Sequence, residues 1–198
     1  MELRFGTADD VDKVIDYILE AGAGTFEFLL TGIIITLSTR DLLRFSVTDE
    51  GSPYHFSNAV LAEEDGVVHG MILSLPSEDL GMSGIVKKMI PKDRQQILSK
   101  LTDSVDAGSW YINTLVVEKA AQGLGVGRKL LAFSANIASR LDRDALTLHV
   151  WSNNEQAMNL YQSLGFKEID RFQLDLSRRG YQCSDMVLMR AKLPLHAI

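Results

Sequence analysis

The stretch from Trp110 to Arg128 constrains this chain more than any other. WYINTLVV (Trp110–Val117) reads as a buried strand, and after Glu118–Ala121 the sequence turns to Gln122-Gly123-Leu124-Gly125-Val126-Gly127-Arg128. A helix is predicted from about Gly127 to Leu141, with Leu130, Phe133, Ile137 and Leu141 on one face. Glycines let a loop take positive φ and let a ligand approach the backbone closely. Free N–H groups at the start of the next helix, with its dipole, suit a phosphate. The loop is therefore either an anion cradle or a plain strand-to-helix turn. A Walker A loop needs Lys and then Ser or Thr after its last glycine, whereas Arg128, Lys129 and Leu130 follow Gly127. A dinucleotide fingerprint starting at Gly123 or Gly125 puts Arg128 or Leu130 where the third glycine belongs.

The rest of the chain frames that loop. Leu3–Gly6 reads as an opening strand, and Thr7 as the N-cap of a helix through about Ala21, stopped by Gly22 and Gly24. SNAVLAEEDGVVHGMILSLP holds two strand-like halves around Asp65-Gly66, a hairpin signal. Helical pieces are predicted near Thr39–Phe45, Gly84–Met89 and Lys92–Leu101, the last two separated by Pro91. Ala145–Val150 alternates as a strand, with His149 on the face opposite Leu146, Leu148 and Val150. Asn154–Leu164 reads as a helix closed by Gly165, and Phe166–Leu176 and Cys183–Lys192 as the last strands. This order predicts an α/β (α+β) protein, a mixed and mostly antiparallel sheet flanked by helices. The length fits one domain over residues 1–198.

Composition narrows the function. With 46% hydrophobic residues the chain can build its own core, and its net charge of −6 disfavours nucleic acid as a partner. Cys183 is the single cysteine, so no internal disulfide or cysteine-based zinc site is expected and a cytoplasmic setting is predicted. The first ten residues lack the basic start and apolar run of a signal peptide. The apolar segment Phe26–Leu37 carries Glu27 and falls well short of the roughly 20 residues of a membrane span. It reads as a buried or pocket-lining segment, and no membrane partner is expected.

Two motifs together are specific. Gln122-x-x-Gly125-x-Gly127 stands between a strand and a helix. Asn154-x-x-Ala157-x-x-Leu160-Tyr161-x-x-x-Gly165-Phe166 follows one helix and one strand later. In this the chain resembles the GNAT family, the acyl-CoA N-acyltransferases. The resemblance is strong over about residues 109–176, moderate for the opening unit and the hairpin, and absent over 25–52 and 77–108. It implies a GNAT-type sheet with strands 110–117 and 145–150 splayed at the cofactor site. It implies acetyl-CoA as co-substrate and no metal.

The resemblance also assigns roles. The backbone of Leu115, Val116 and Val117 pairs with the pantetheine arm, as in strand addition, and an N–H near Val117 polarises the thioester carbonyl. The loop from Gln122 through Gly123, Leu124, Gly125, Val126 and Gly127 to Arg128 holds the pyrophosphate with its N–H groups, and the Arg128 side chain either adds a charge-assisted contact or is solvated. Tyr161 points at the cofactor sulfur, and a phenol of pKa about 10 is matched to a thiol leaving group. Ala157, one turn earlier on the same helix face, leaves room for the cofactor. Asn154 either contacts pantetheine or caps its helix. His149 stands where some branches carry a glutamate base, and an imidazole of pKa near 6.5 suits that task or a purely structural one. Asn113 and Glu118 are lesser candidates.

The expected function is therefore transfer of an acetyl group from acetyl-CoA to a primary amine, on a small molecule or peptide, by direct attack in a ternary complex. The alternative is a non-catalytic acyl-CoA-binding or sensor module on the same scaffold. Segments 25–52 and 77–108 are expected to be helical insertions that form the acceptor side. Glu27, Asp49, Glu50 and Glu118 are compatible with a cationic acceptor. Phe26–Leu37 argues equally for an apolar acceptor moiety or a homodimer contact.

Overall fold

A computed structural model describes residues 1–81, 84–177, 180–181 and 183–195. Its seven strands are β1 (Glu2–Phe5), β2 (Ala59–Glu64), β3 (Val67–Pro76), β4 (Trp110–Val117), β5 (Ala145–Trp151), β6 (Lys167–Asp175) and β7 (Cys183–Lys192). They form one sheet in the order β1-β2-β3-β4-β5-β7-β6. Asp65 and Gly66, both at positive φ, make the β2–β3 hairpin turn that the sequence announces. Every neighbouring pair is antiparallel except β4–β5.

That parallel pair organises the molecule. It runs only from Trp110 opposite Leu146 to Ile112 opposite Leu148. Beyond this, β4 stays with β3 as far as Val117, while β5 stays with β7 as far as Trp151. The sheet thus splits into two halves that part like a V. A register shift falls at the split: Ser74 faces Ile112 and Leu73 faces Thr114, so Asn113 is an extra residue on β4. A bulge bends its strand and re-aims a side chain, and here it turns β4 away from β5.

The helices are α1 (Val11–Gly22), α2 (Thr25–Leu30), α3 (Thr39–Thr48), α4 (Gly84–Met89), α5 (Lys92–Asp103), α6 (Val126–Arg140) and α7 (Glu155–Ser163). The core of one sheet face includes Val14, Ile18, Leu29, Leu43, Met71, Leu73, Trp151 and Met186, and carries α1, α2, α3 and α5. The other holds Leu130, Leu131, Leu146, Leu148, Val150, Tyr161 and Val187 under α6 and α7. The predicted alternation of β5 is therefore observed.

Two local expectations need correction. Thr7 does not cap a long helix directly. It opens a single 3-10 turn, Ala8–Asp10, whose Asp10 carboxylate accepts from the Thr7 N–H and hydroxyl, each at 2.8 Å. Arg4 donates to the same carboxylate and holds its pKa down at about 2. The stripe predicted on α6 is rotated: Val126, Leu130, Leu131, Ser134 and Ala138 are buried, while Leu141 lies 53% exposed beyond the helix. Small Ser134 and Ala138 let the helix close onto the sheet, where Ser134 Oγ donates to Ser74 Oγ at 3.0 Å. Phe133 instead meets Phe5 edge-on at the sheet rim. As expected of a helical insertion, α2 forms within the apolar segment. Burial of Phe28, Leu29 and Leu30 stabilises it, and Arg94 of α5 donates to the Leu29 and Thr31 carbonyls at its end, both at 2.9 Å.

Candidate active site

The parted strand ends create a groove of about 450 Å³. One wall is the β4 edge at Leu115, Val116 and Val117. The other comprises His149, Val150 and Trp151 of β5. The loop residues Gln122, Gly123, Gly125, Val126, Gly127 and Arg128 close one end, and Asn154, Ala157, Leu160 and Tyr161 of α7 line the α7 side.

The loop geometry suits an anion. Gly123 and Gly125 sit at φ +78 and +80, a region costly for residues with a Cβ, and a Cβ at either would meet no atom within 4 Å. The backbone is thus exposed to an incoming ligand. Helix α6 starts at Val126, and its first intrahelical bond runs from the Lys129 N–H to the Gly125 carbonyl. The N–H groups of Val126, Gly127 and Arg128 consequently precede the helical ladder and point outward from a positive dipole end. Gln122 acts within the loop: its Nε2 donates to the Val117 carbonyl at 3.0 Å and its Oε1 accepts from Gln156 at 3.1 Å. The Arg128 guanidinium donates to Ser163 Oγ at 2.7 Å. Leu124 departs from expectation. Its N–H is directed to the Ala121 carbonyl at 3.4 Å, its side chain is exposed, and it does not line the groove.

Helix α7 is built to present Tyr161. Asn154 Oδ1 accepts from the Ala157 N–H at 3.1 Å, so the asparagine caps the helix while its residue also borders the groove. At the other end, the Gly165 N–H bonds the Gln162 carbonyl and the Phe166 N–H bonds the Tyr161 carbonyl, with Gly165 at φ +90. This is a Schellman stop, and its usual apolar contact is the Tyr161–Phe166 ring pair, 5.6 Å between centroids. The Leu-Tyr-x-x-x-Gly-Phe spacing is thereby explained: it clamps the tyrosine. Tyr161 is buried, and burial pushes its phenol above the usual range.

His149 lines the groove from the opposite sheet face. Its ring lies between Tyr111 and Phe172, 5.7 Å from each ring centre. Nδ1 and the Tyr111 hydroxyl share a 2.9 Å hydrogen bond, and among the described residues Nε2 is buried with no group in hydrogen-bond geometry. Burial lowers its pKa to about 4; the Asp170 carboxylate and Ser104 carbonyl offset only part of that. The imidazole is neutral at physiological pH, and its affinity for a proton is low. Glu118 is committed elsewhere. It accepts from Lys13 Nζ at 2.6 Å and the Tyr17 hydroxyl at 2.9 Å, and Lys13 keeps its carboxyl ionised below the usual range.

A second cavity, of about 110 Å³, lies between the sheet and α1, α2 and α5. Ala21, Asn113, His149 and Trp151 line both spaces and form their junction. Sequence reasoning missed Tyr54, Tyr111 and Trp151 here. Period-two alternation marks the inward face of β4 and β5, but nothing local shows that those faces border a cavity. Among the described residues no helix is long and apolar enough to cross a membrane.

A parted strand pair beside a glycine-rich helix start, with a phenol bordering the gap, makes up the candidate site. The chain belongs to the acetyltransferase (GNAT) family, whose profile matches residues 36–166. The match spans the glycine loop and ends at Phe166. Among solved structures the chain is similar to an N-acetyltransferase from Staphylococcus aureus Mu50, with 18% identity, TM-score 0.69, and coverage of 96% of this chain and 100% of that one. It is also similar to a protein described as an acetyltransferase, at 23% identity, TM-score 0.63, and coverage of 94% and 98%. A third is yncA from Salmonella typhimurium with its cofactor acetyl-CoA, at 22% identity, TM-score 0.57, and coverage of 100% and 96%. These likenesses establish the fold. None of the curated proteins matches the sequence.

Proposed function

We propose that the chain transfers the acetyl group of acetyl-CoA to a primary amine, on a small molecule or peptide, by direct attack within a ternary complex. The observation that carries this reading is the gap between β4 and β5 with Tyr161 beside it. Bound acetyl-CoA supplies the thioester that is cleaved. The β4 edge at Leu115–Val117, where pairing with β5 has ended, is positioned to receive the pantetheine amides. The N–H groups of Gly123 and Gly125–Arg128 take the pyrophosphate. A backbone N–H near Val117 stabilises the developing oxyanion.

Tyr161 protonates the departing thiolate as the C–S bond breaks and the N–C bond forms, and recovers its proton from solvent. His149 is the weaker partner. A neutral imidazole of pKa about 4 is a poor base for an ammonium of pKa about 10.4. The amine therefore reacts as its free base, releasing its proton to water, and His149 orients Tyr111 at the junction. Segments 25–52 and 77–108 supply the acceptor side through α2 and α5, as parts of one acyl-transfer unit over residues 1–198. Two measurements test this. Calorimetry with acetyl-CoA should give a saturable heat, and thiol release should follow when an amine panel is added. Binding with no release above background for any amine favours the sensor module; no binding rejects the assignment.

A further inference from the structure

We infer that the smaller cavity takes a compact, uncharged apolar group, an aryl ring or branched alkyl chain, carried by the amine acceptor. This rests on the reading that the groove holds acetyl-CoA. The cavity walls are Phe26, Leu29, Leu98, Leu101, Trp151 and Met186. Several of its polar groups are engaged with one another, while among the described residues His149 Nε2 has no hydrogen-bond partner. Asn113 Nδ2 donates to the Tyr54 hydroxyl at 3.3 Å, Thr114 Oγ1 donates to Asn113 Oδ1 at 3.0 Å, and Tyr111 pairs with His149. Among the described lining residues there is no carboxylate, lysine or arginine. Glu27, Asp49, Glu50 and Glu118, which by charge alone suit a cationic acceptor, do not line it. His149 is neutral at physiological pH and holds no anion there. A second ammonium or a carboxylate on the acceptor would lie in this space unpaired, at high cost.

Size limits the group to a compact one. The cavity holds about 110 Å³, less than the roughly 150 Å³ of an apolar cavity that encloses a benzene ring, and it opens into the groove at Ala21, Asn113, His149 and Trp151. Position assigns the group to the acceptor rather than to the thioester. The cavity lies on the α1, α2 and α5 face of the sheet, whereas Tyr161 belongs to the core under α6 and α7. An amine entering from the cavity meets the carbonyl from one side while the thiolate leaves toward Tyr161 on the other. Its nitrogen forms the new bond at the Ala21, Asn113, His149 and Trp151 junction, the C–S bond breaks, and the thiolate takes the phenol proton.

The test compares benzylamine and isopentylamine with 1,4-diaminobutane, free lysine and an aminoglycoside at saturating acetyl-CoA, by thiol release. Binding of benzylamine to CoA-saturated protein is measured in parallel by calorimetry. The apolar amines should exceed the charged ones by about tenfold or more in kcat/KM, the scale of pocket discrimination. Leu101→Trp should remove benzylamine turnover and binding without changing acetyl-CoA affinity, and Leu101→Ala should shift preference toward bulkier aryl amines. Equal or better turnover of the diamine, lysine or aminoglycoside overturns the inference. So does benzoyl-CoA outperforming acetyl-CoA with Leu101 variants altering only that acyl preference, which places the group on the thioester. Heat with acetyl-CoA but none with benzylamine overturns this inference alone; no heat with acetyl-CoA overturns the acetyl-transfer reading beneath it.

Discussion

Tyr161 and His149 show how burial sets the chemistry of single residues. Both side chains are removed from water, which keeps the phenol protonated and the imidazole neutral. Tyr161→Phe should lower kcat about a hundredfold, the lower end for loss of a general acid, with acetyl-CoA affinity in calorimetry unchanged. The pH profile of kcat/KM should rise with deprotonation of the amine and show no break near 6.5, because His149 does not titrate there in the folded protein. The same shift is a stability statement. Unfolded histidine gains its proton as pH falls through about 6.5, and folded His149 only near about 4. Stability present at neutral pH, about 3 kcal/mol, is therefore lost across that interval. Chemical denaturation at pH 7 and pH 4.5 should show the loss, and His149→Gln should lack this component. Tyr161 was legible in the sequence because the helix stop that clamps it is local. The basicity of His149 was not, since the ring that covers one side, Phe172, belongs to a strand more than twenty residues away.

At the scale of elements, close backbone approach decides where β4 runs. Gly70 of β3 lies opposite Val117, and a Cβ there would sit 2.7 Å from the Val116 carbonyl oxygen and 3.3 Å from Val117 Cα. Gly70→Ala should cost about 1–3 kcal/mol in denaturant unfolding, as other overpacked sites do, and weaken acetyl-CoA binding by shifting the strand edge proposed to receive it. The strands and most helices were readable because period two, period 3.6, Asp-Gly and Gly165 are local signals. Two features were not. The bulge at Asn113 depends on register with β3, which no single strand reports. The face of α6 depends on which side chains are small enough to let it close on the sheet.

On the scale of the whole molecule, Arg94 ties together α2 and α5, the proposed acceptor side. Its buried guanidinium reaches the Leu29 and Thr31 carbonyls and fastens α5 to the end of α2. Arg94→Met should lower stability by about 1.5–3 kcal/mol, since it strands the buried Leu29 carbonyl, and raise the acceptor KM while leaving acetyl-CoA affinity intact. Thermal unfolding and calorimetry separate those effects. The groove is reached by contiguous motifs, and the sequence alone determined its glycine loop, its tyrosine helix and the succession of strands and helices along the chain around them. Those features follow from backbone preferences and turn chemistry that act over a few residues. Only the tertiary structure decided the second cavity, because its walls come from positions as distant as Ile18 and Met186. It also decided the acid-base character of His149, because desolvation sums over everything packed around a group, whatever its distance along the chain.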